Sequence, residues 1–113
     1  MTATSLHPQP IVLTDINPQG VLQLTMNNPA RRNALSEEML TCLHKEITLA
    51  SSNPSIRVVI LAAEGPVFCA GHDLKELTAA RGNTDKGRDY FAHIMGLCSN
   101  LMQTIVNCPK PVI

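Results

Sequence analysis

The densest chemistry in this chain lies in residues 65–77, GPVFCAGHDLKEL. Cys69, His72 and Asp73 fall around the small pair Ala70 and Gly71. The order is an apolar run, a tight loop, then a helix start. The first amides of a helix have no intrahelical acceptor and carry partial positive charge, so they can hold an anion or a developing oxyanion. Small residues ahead of them let a ligand approach the backbone closely. That places the His72 amide at an electropositive point above the apolar run. Two readings stand, a backbone anion site and the plainer strand-to-helix connection. Other loop chemistries fail on spacing. There is no G-x-G-x-x-G, Gly71 is followed by His rather than Lys-Ser/Thr, and G-x-S-x-G is absent.

The elements around this loop can be read from pattern. Residues 11–16, IVLTDI, and 21–27, VLQLTMN, flank the turn chemistry of NPQG. Leu22, Leu24 and Met26 alternate with Gln23 and Thr25, which predicts a hairpin over 11–27. The polar loop NPARRNAL (28–35) follows. Ser36 then stands where an N-cap belongs, with Glu37 and Glu38 in the first turn and Leu40, Leu43, Ile47 and Ala50 at helical spacing. RVVILAA (57–63) does not alternate, so it reads as a parallel strand buried on both faces. Asp73-x-x-Glu76 has the form of a capping box at the start of a helix over 74–80. A loose connector, 81–87, leads to an amphipathic helix from Arg88 to Val106 whose apolar positions are Phe91, Ile94, Met95, Cys98, Leu101, Met102 and Ile105. Pro109 and Pro111 end it, and Val112-Ile113 reads as the start of another strand. The expectation is a chain cut inside a larger α/β fold, with one edge of the 57–63 strand bare. Residues 1–10 read as a flexible lead-in, and 11–113 as one domain.

Composition excludes several classes. Formal net charge is +0 and no basic stripe is present, which argues against nucleic acid. The longest apolar run, 58–63, is far short of the roughly 20 residues that span a bilayer. The N-terminus MTATSLHPQP is neither a secretory signal nor an Arg-rich transit peptide. Cys42, Cys69, Cys98 and Cys108 match no zinc or CxxC spacing and read as free thiols, with no metal site.

PVFCAGHDLKEL closely resembles the first oxyanion-hole segment of the crotonase, or enoyl-CoA hydratase/isomerase, superfamily, which typically reads F-x-A/S-G-x-D-L/I-x-E. VLQLTMNNPARRNALSEEML resembles that family's hairpin, N-x-P-x-x-x-N-A-L loop and first helix. RVVILAAEGPVFCAGHDL is similar to its central strand and loop, and CPKPVI to the run-in to its next strand. The likeness covers residues 11–113 in order, and its wording is most like the enoyl-CoA hydratase domain-containing group.

The resemblance implies a crotonase-like ββα spiral fold, of which this is the N-terminal portion only. It implies an acyl-CoA thioester as substrate and partner, with coenzyme A carried by the substrate and no separate cofactor. It implies an enolate stabilised by two backbone N–H groups, the first from His72. Ala70, Gly71, His72, Asp73, Leu74 and Lys75 would lie along the coenzyme. Ala30, Arg31 and Arg32 would touch it from the other side, with charge suited to phosphates. The family commonly forms trimers or hexamers. A cytoplasmic setting is expected, with a mitochondrial one as the alternative. Many members carry Ala where His72 stands. The amide survives that change, and the imidazole reads as structural rather than catalytic. The second donor and the acid/base glutamates of the family fall beyond Ile113. Glu37, Glu38, Glu64 and Glu76 do not match those glutamates, and His44, His93 and Tyr90 read as surface or packing residues. The chain alone is therefore expected to be inactive. A non-catalytic acyl-CoA-binding protein is the alternative.

Overall fold

The computed structural model describes residues 9–113, so residues 1–8 of the expected lead-in lie outside the described residues. Strands β1 (Val12–Ile16) and β2 (Val21–Met26) form the antiparallel hairpin that alternation predicts. Asn17 makes the turn, its Oδ1 accepting from the N–H groups of Gln19 and Val21. The chain then runs through a 3-10 turn at Pro29–Arg31 into α1 (Glu37–Ser52). It returns as β3 (Val58–Ala63), parallel to β2, in a sheet ordered β1-β2-β3. Helices α2 (Leu74–Ala80) and α3 (Arg88–Asn107) follow.

Both ends of α1 and the start of α3 have identifiable causes. Ser36 Oγ accepts the Met39 N–H at 3.1 Å, the cap expected for α1. At its other end α1 carries no basic residue. Lys110 supplies the cation from a distance, its Nζ donating to the Ala50 carbonyl at 2.6 Å and to that of Asn53. Residues 81–87 are a run of turns ending in an Asp85 cap. Its carboxylate accepts the N–H groups of Asp89 and Gly87, which hold it below the usual carboxylate range.

The core sits between one face of the sheet and the pair α1/α3. Leu22, Leu24, Met26 and Val59 meet Met39, Leu40, Leu43, Ile47 and Ala50 of α1 and Ile94 and Leu101 of α3. Each fully buried Leu, Ile or Met of this set contributes about 1.5–3 kcal/mol. Three expectations are corrected here. Strand β3 is not buried on both faces. Val59 is fully buried, but Ile60 lies on the opposite face, outside the cluster, and is only partly covered. The apolar stripe of α3 is wider than the buried one, since Met95 and Met102 are exposed. The outer edge of β3 is not bare: Val59 N–H donates to Pro111 O, Ile113 N–H to Val59 O, and Leu61 N–H to Ile113 O. All four cysteines are free, and burial, then the nearby Glu46 charge, pushes the Cys42 thiol up.

Candidate functional site

The loop after β3 and the loop before α1 are stitched together by backbone bonds. Ala70 N–H donates to Arg32 O at 3.0 Å, and Leu35 N–H to Gly71 O at 2.7 Å. Asn33 anchors the same seam from below. Its side chain is fully buried and bridges both loops. The Oδ1 accepts from Asn28 N–H, and the Nδ2 donates to the carbonyls of Glu64 and Val67. Gly65 belongs to this packing, because a Cβ there would stand 2.8 Å from Pro29 Cβ. Arg32 and Asn33 both take left-handed backbone angles, φ 54° and 53°. Asn tolerates that region and Arg less so.

These loops wall an open cleft of about 420 Å3, lined by Ala30, Arg31, Arg32, Ala34, Ala70, His72, Asp73, Leu74 and Lys75. Of the residues that sequence pointed to, all but Gly71 line it, and Ala34 is added. Gly71 shapes the cleft through its backbone. Its φ of 88° suits glycine, while a Cβ would meet nothing within 4 Å, so the angle rather than crowding selects it.

The helix start is capped by Asp73 as the sequence implied. The N-terminal amides of α2 are not all free. Asp73 Oδ1 already accepts the N–H groups of Lys75 and Glu76. Asp73 also takes both oxygens to Arg31 Nη2, at 3.0 and 2.9 Å. Asp73 is 5% exposed and Arg31 43%. Arg31 is therefore spent on a structural pair, leaving Arg32 and Lys75 as the cleft cations with no ion pair among the described residues. The His72 N–H, by contrast, has no acceptor among the described residues. The His72 imidazole is partly buried, and its Nδ1 is buried with no hydrogen-bond partner among the described residues. The capping box is also only half made. Asp73 caps α2, but Glu76 does not reach back to it. Its Oε1 accepts the Glu37 N–H instead, at 2.9 Å.

No group of three metal-binding side chains gathers among the described residues. No helix among them is long and apolar enough to cross a membrane. His44 is partly buried on α1. His93 and Tyr90, on α3, are tied to Glu37 rather than to the cleft.

A family model described as enoyl-CoA hydratase/isomerase matches residues 17–113. The chain belongs to the enoyl-CoA hydratase/isomerase family. Mouse enoyl-CoA hydratase domain-containing protein 3, mitochondrial, is 45% identical over 94 residues, which are 83% of this chain and 30% of that protein. A crystal structure of an enoyl-CoA hydratase from Mycobacterium smegmatis superposes with a TM-score of 0.82 at 39% identity, covering 92% of this chain and 38% of the other. The human enoyl-CoA hydratase domain-containing protein 3 superposes at 0.80 and 38% identity, over 91% of this chain and 38% of its own. The described elements thus have the crotonase fold that the resemblance implied. The chain spans about 30–40% of the length of these family members.

Proposed function

We propose that the cleft receives the coenzyme portion of an acyl-CoA thioester and that the His72 N–H is one donor of an oxyanion hole. The observation that carries this reading is the free His72 amide. It sits between a glycine held at positive φ and an aspartate already saturated by its own helix and Arg31. Such an amide is preorganised, so it needs no rearrangement to meet developing charge. Arg32 and Lys75 supply positive charge for phosphates, whereas Arg31 holds Asp73 and shapes the wall. In the longer family architecture the reaction would be hydration or isomerisation through a thioester enolate, in an oligomeric enzyme. The mitochondrial names of the vertebrate relatives favour the mitochondrial alternative over a cytoplasmic one.

A second reading is favoured by one observation. The carboxylate in the cleft, Asp73, is buried in an ion pair and accepts two amides, so its oxygens are already engaged within the protein. These 113 residues by themselves are expected to bind rather than to turn over. Loss of one oxyanion donor costs about 10²–10³ in rate and loss of acid/base groups about 10²–10⁴. Calorimetric titration with coenzyme A tests the site. Ala70→Trp should abolish binding by filling the cleft. His72→Ala should change affinity by less than about threefold, because the amide remains. The reverse pattern would overturn the backbone reading and give the imidazole the role. Crotonyl-CoA hydration by this chain, followed as loss of enoyl-thioester absorbance, should be undetectable, and turnover would sink the second reading.

A further inference from the structure

Glu76 departs from its expected partner, and the departure links three helices. The first amide of α1, at Glu37, has no acceptor within its own helix, and Ser36 Oγ is already occupied by Met39 N–H. The Glu76 carboxylate, on the first turn of α2, accepts it. Tyr90, on the first turn of α3, directs its hydroxyl to the same place, 3.2 Å from Glu37 Oε1 and 3.5 Å from Glu76 Oε1. His93 closes the cluster at 3.1 Å from Glu37 Oε2. Three helix N-termini, each a positive pole, therefore meet around two carboxylates.

The Glu76 bond is also the far end of a seam. From one side come Arg32, Leu35 and Glu37, and from the other Ala70, Gly71 and Glu76, joined in that order. The two sides of that seam are the two walls of the cleft. We propose that Glu76 is a positioning residue, whose carboxylate caps α1 from α2 and thereby fixes the wall that presents the His72 N–H. This rests on the reading of the cleft given above, though the seam itself can be tested without a ligand.

The experiment compares Glu76→Ala, Glu76→Gln and, as a control for general destabilisation, Ile47→Val on the core face of α1. Amide hydrogen exchange at the seam donors Leu35 and Ala70 and coenzyme A titration are measured on each. In Glu76→Ala, exchange at Leu35 and Ala70 should rise about tenfold, and coenzyme A should bind about tenfold more weakly, the loss of one charge-assisted hydrogen bond. Glu76→Gln keeps the acceptor and should restore protection and affinity to within about threefold of the unaltered chain. Ile47→Val should shift neither selectively. Unchanged exchange at Leu35 and Ala70 in Glu76→Ala would overturn the proposal, as would a Gln variant no better protected than Ala. A Glu76→Ala chain that fails to fold while the Gln variant folds and is protected supports it. If the unaltered chain takes no coenzyme A, the cleft reading fails and the exchange comparison still decides the role of Glu76.

Discussion

Asn33 does at one position what no single neighbour could. Buried and held at positive φ, it joins one loop to another through three hydrogen bonds. Asn33→Ala would leave a partly buried N–H and two carbonyls without these partners. It should cost about 3 kcal/mol or more, read as a lowered midpoint in chemical denaturation. Asn33→Asp should be no better, because a carboxylate accepts but cannot donate to the two carbonyls. Tyr90 offers a second residue-scale check, since it is the only tyrosine and there is no tryptophan. Burial first, then the Glu76 charge and the hydrogen bond to Glu37, pushes its hydroxyl up to about 12. The folded pKa exceeds the unfolded value of roughly 10, so the neutral phenol is the form that folding favours. Its contribution to stability should be complete below pH about 10 and lost as pH rises towards about 12. Tyrosinate absorbance should titrate near the higher value in the folded chain and near the lower in denaturant. A folded chain titrating near the lower value would show the hydroxyl to be solvated. At this scale the cleft residues were legible, because the GHDLKEL and NPARRNAL wording is local. The partners of Asn33 were not, since nothing near position 33 indicates carbonyls 31 and 34 residues away.

Among the elements, starts were more legible than ends and faces. The α1 and α2 N-caps depend on residues within one turn, and Ser36 and Asp73 announce them. The C-terminal cap of α1 comes from Lys110, 57–60 residues further on, and only the fold reveals it. Strand β3 shows how a correct element can carry a wrong face. An unbroken apolar run implies cover on both sides, but the described helices cover one. Val59→Asp should therefore be severe, about 4 kcal/mol or more, because it puts a charge into a fully enclosed position. Ile60→Asp should cost roughly 1–2 kcal/mol, because the partly covered face lets the carboxylate reach water. Denaturation midpoints of the two variants check this. Equal losses would mean that something, such as a second copy of the chain, covers the Ile60 face in solution.

For the molecule as a whole, the hairpin and the parallel strand were each read from their patterns, but their pairing through β2 was not. Nor was the amount of surface that stays open. Phe68, Met95, Met102 and Val106 are exposed, the last three along α3. Apolar surface of this kind favours association. This chain is expected to sediment with a concentration-dependent mass. A monodisperse monomer across a wide concentration range would count against that expectation. The stitched seam of the cleft has a further consequence, in the order of events during folding. Helix α1 and the hairpin need only nearby residues and can form within microseconds. The two walls are closed by contacts more than thirty residues apart, with Asn33 on Glu64 and Val67 among them. Closing such a loop spends chain entropy before its bonds return any, so it belongs to the slow part of the reaction. In refolding, helical signal should therefore appear first and the cleft afterwards. On a growing chain, the pocket cannot close until Ala70 and Gly71 have been made and have met Arg32 and Leu35.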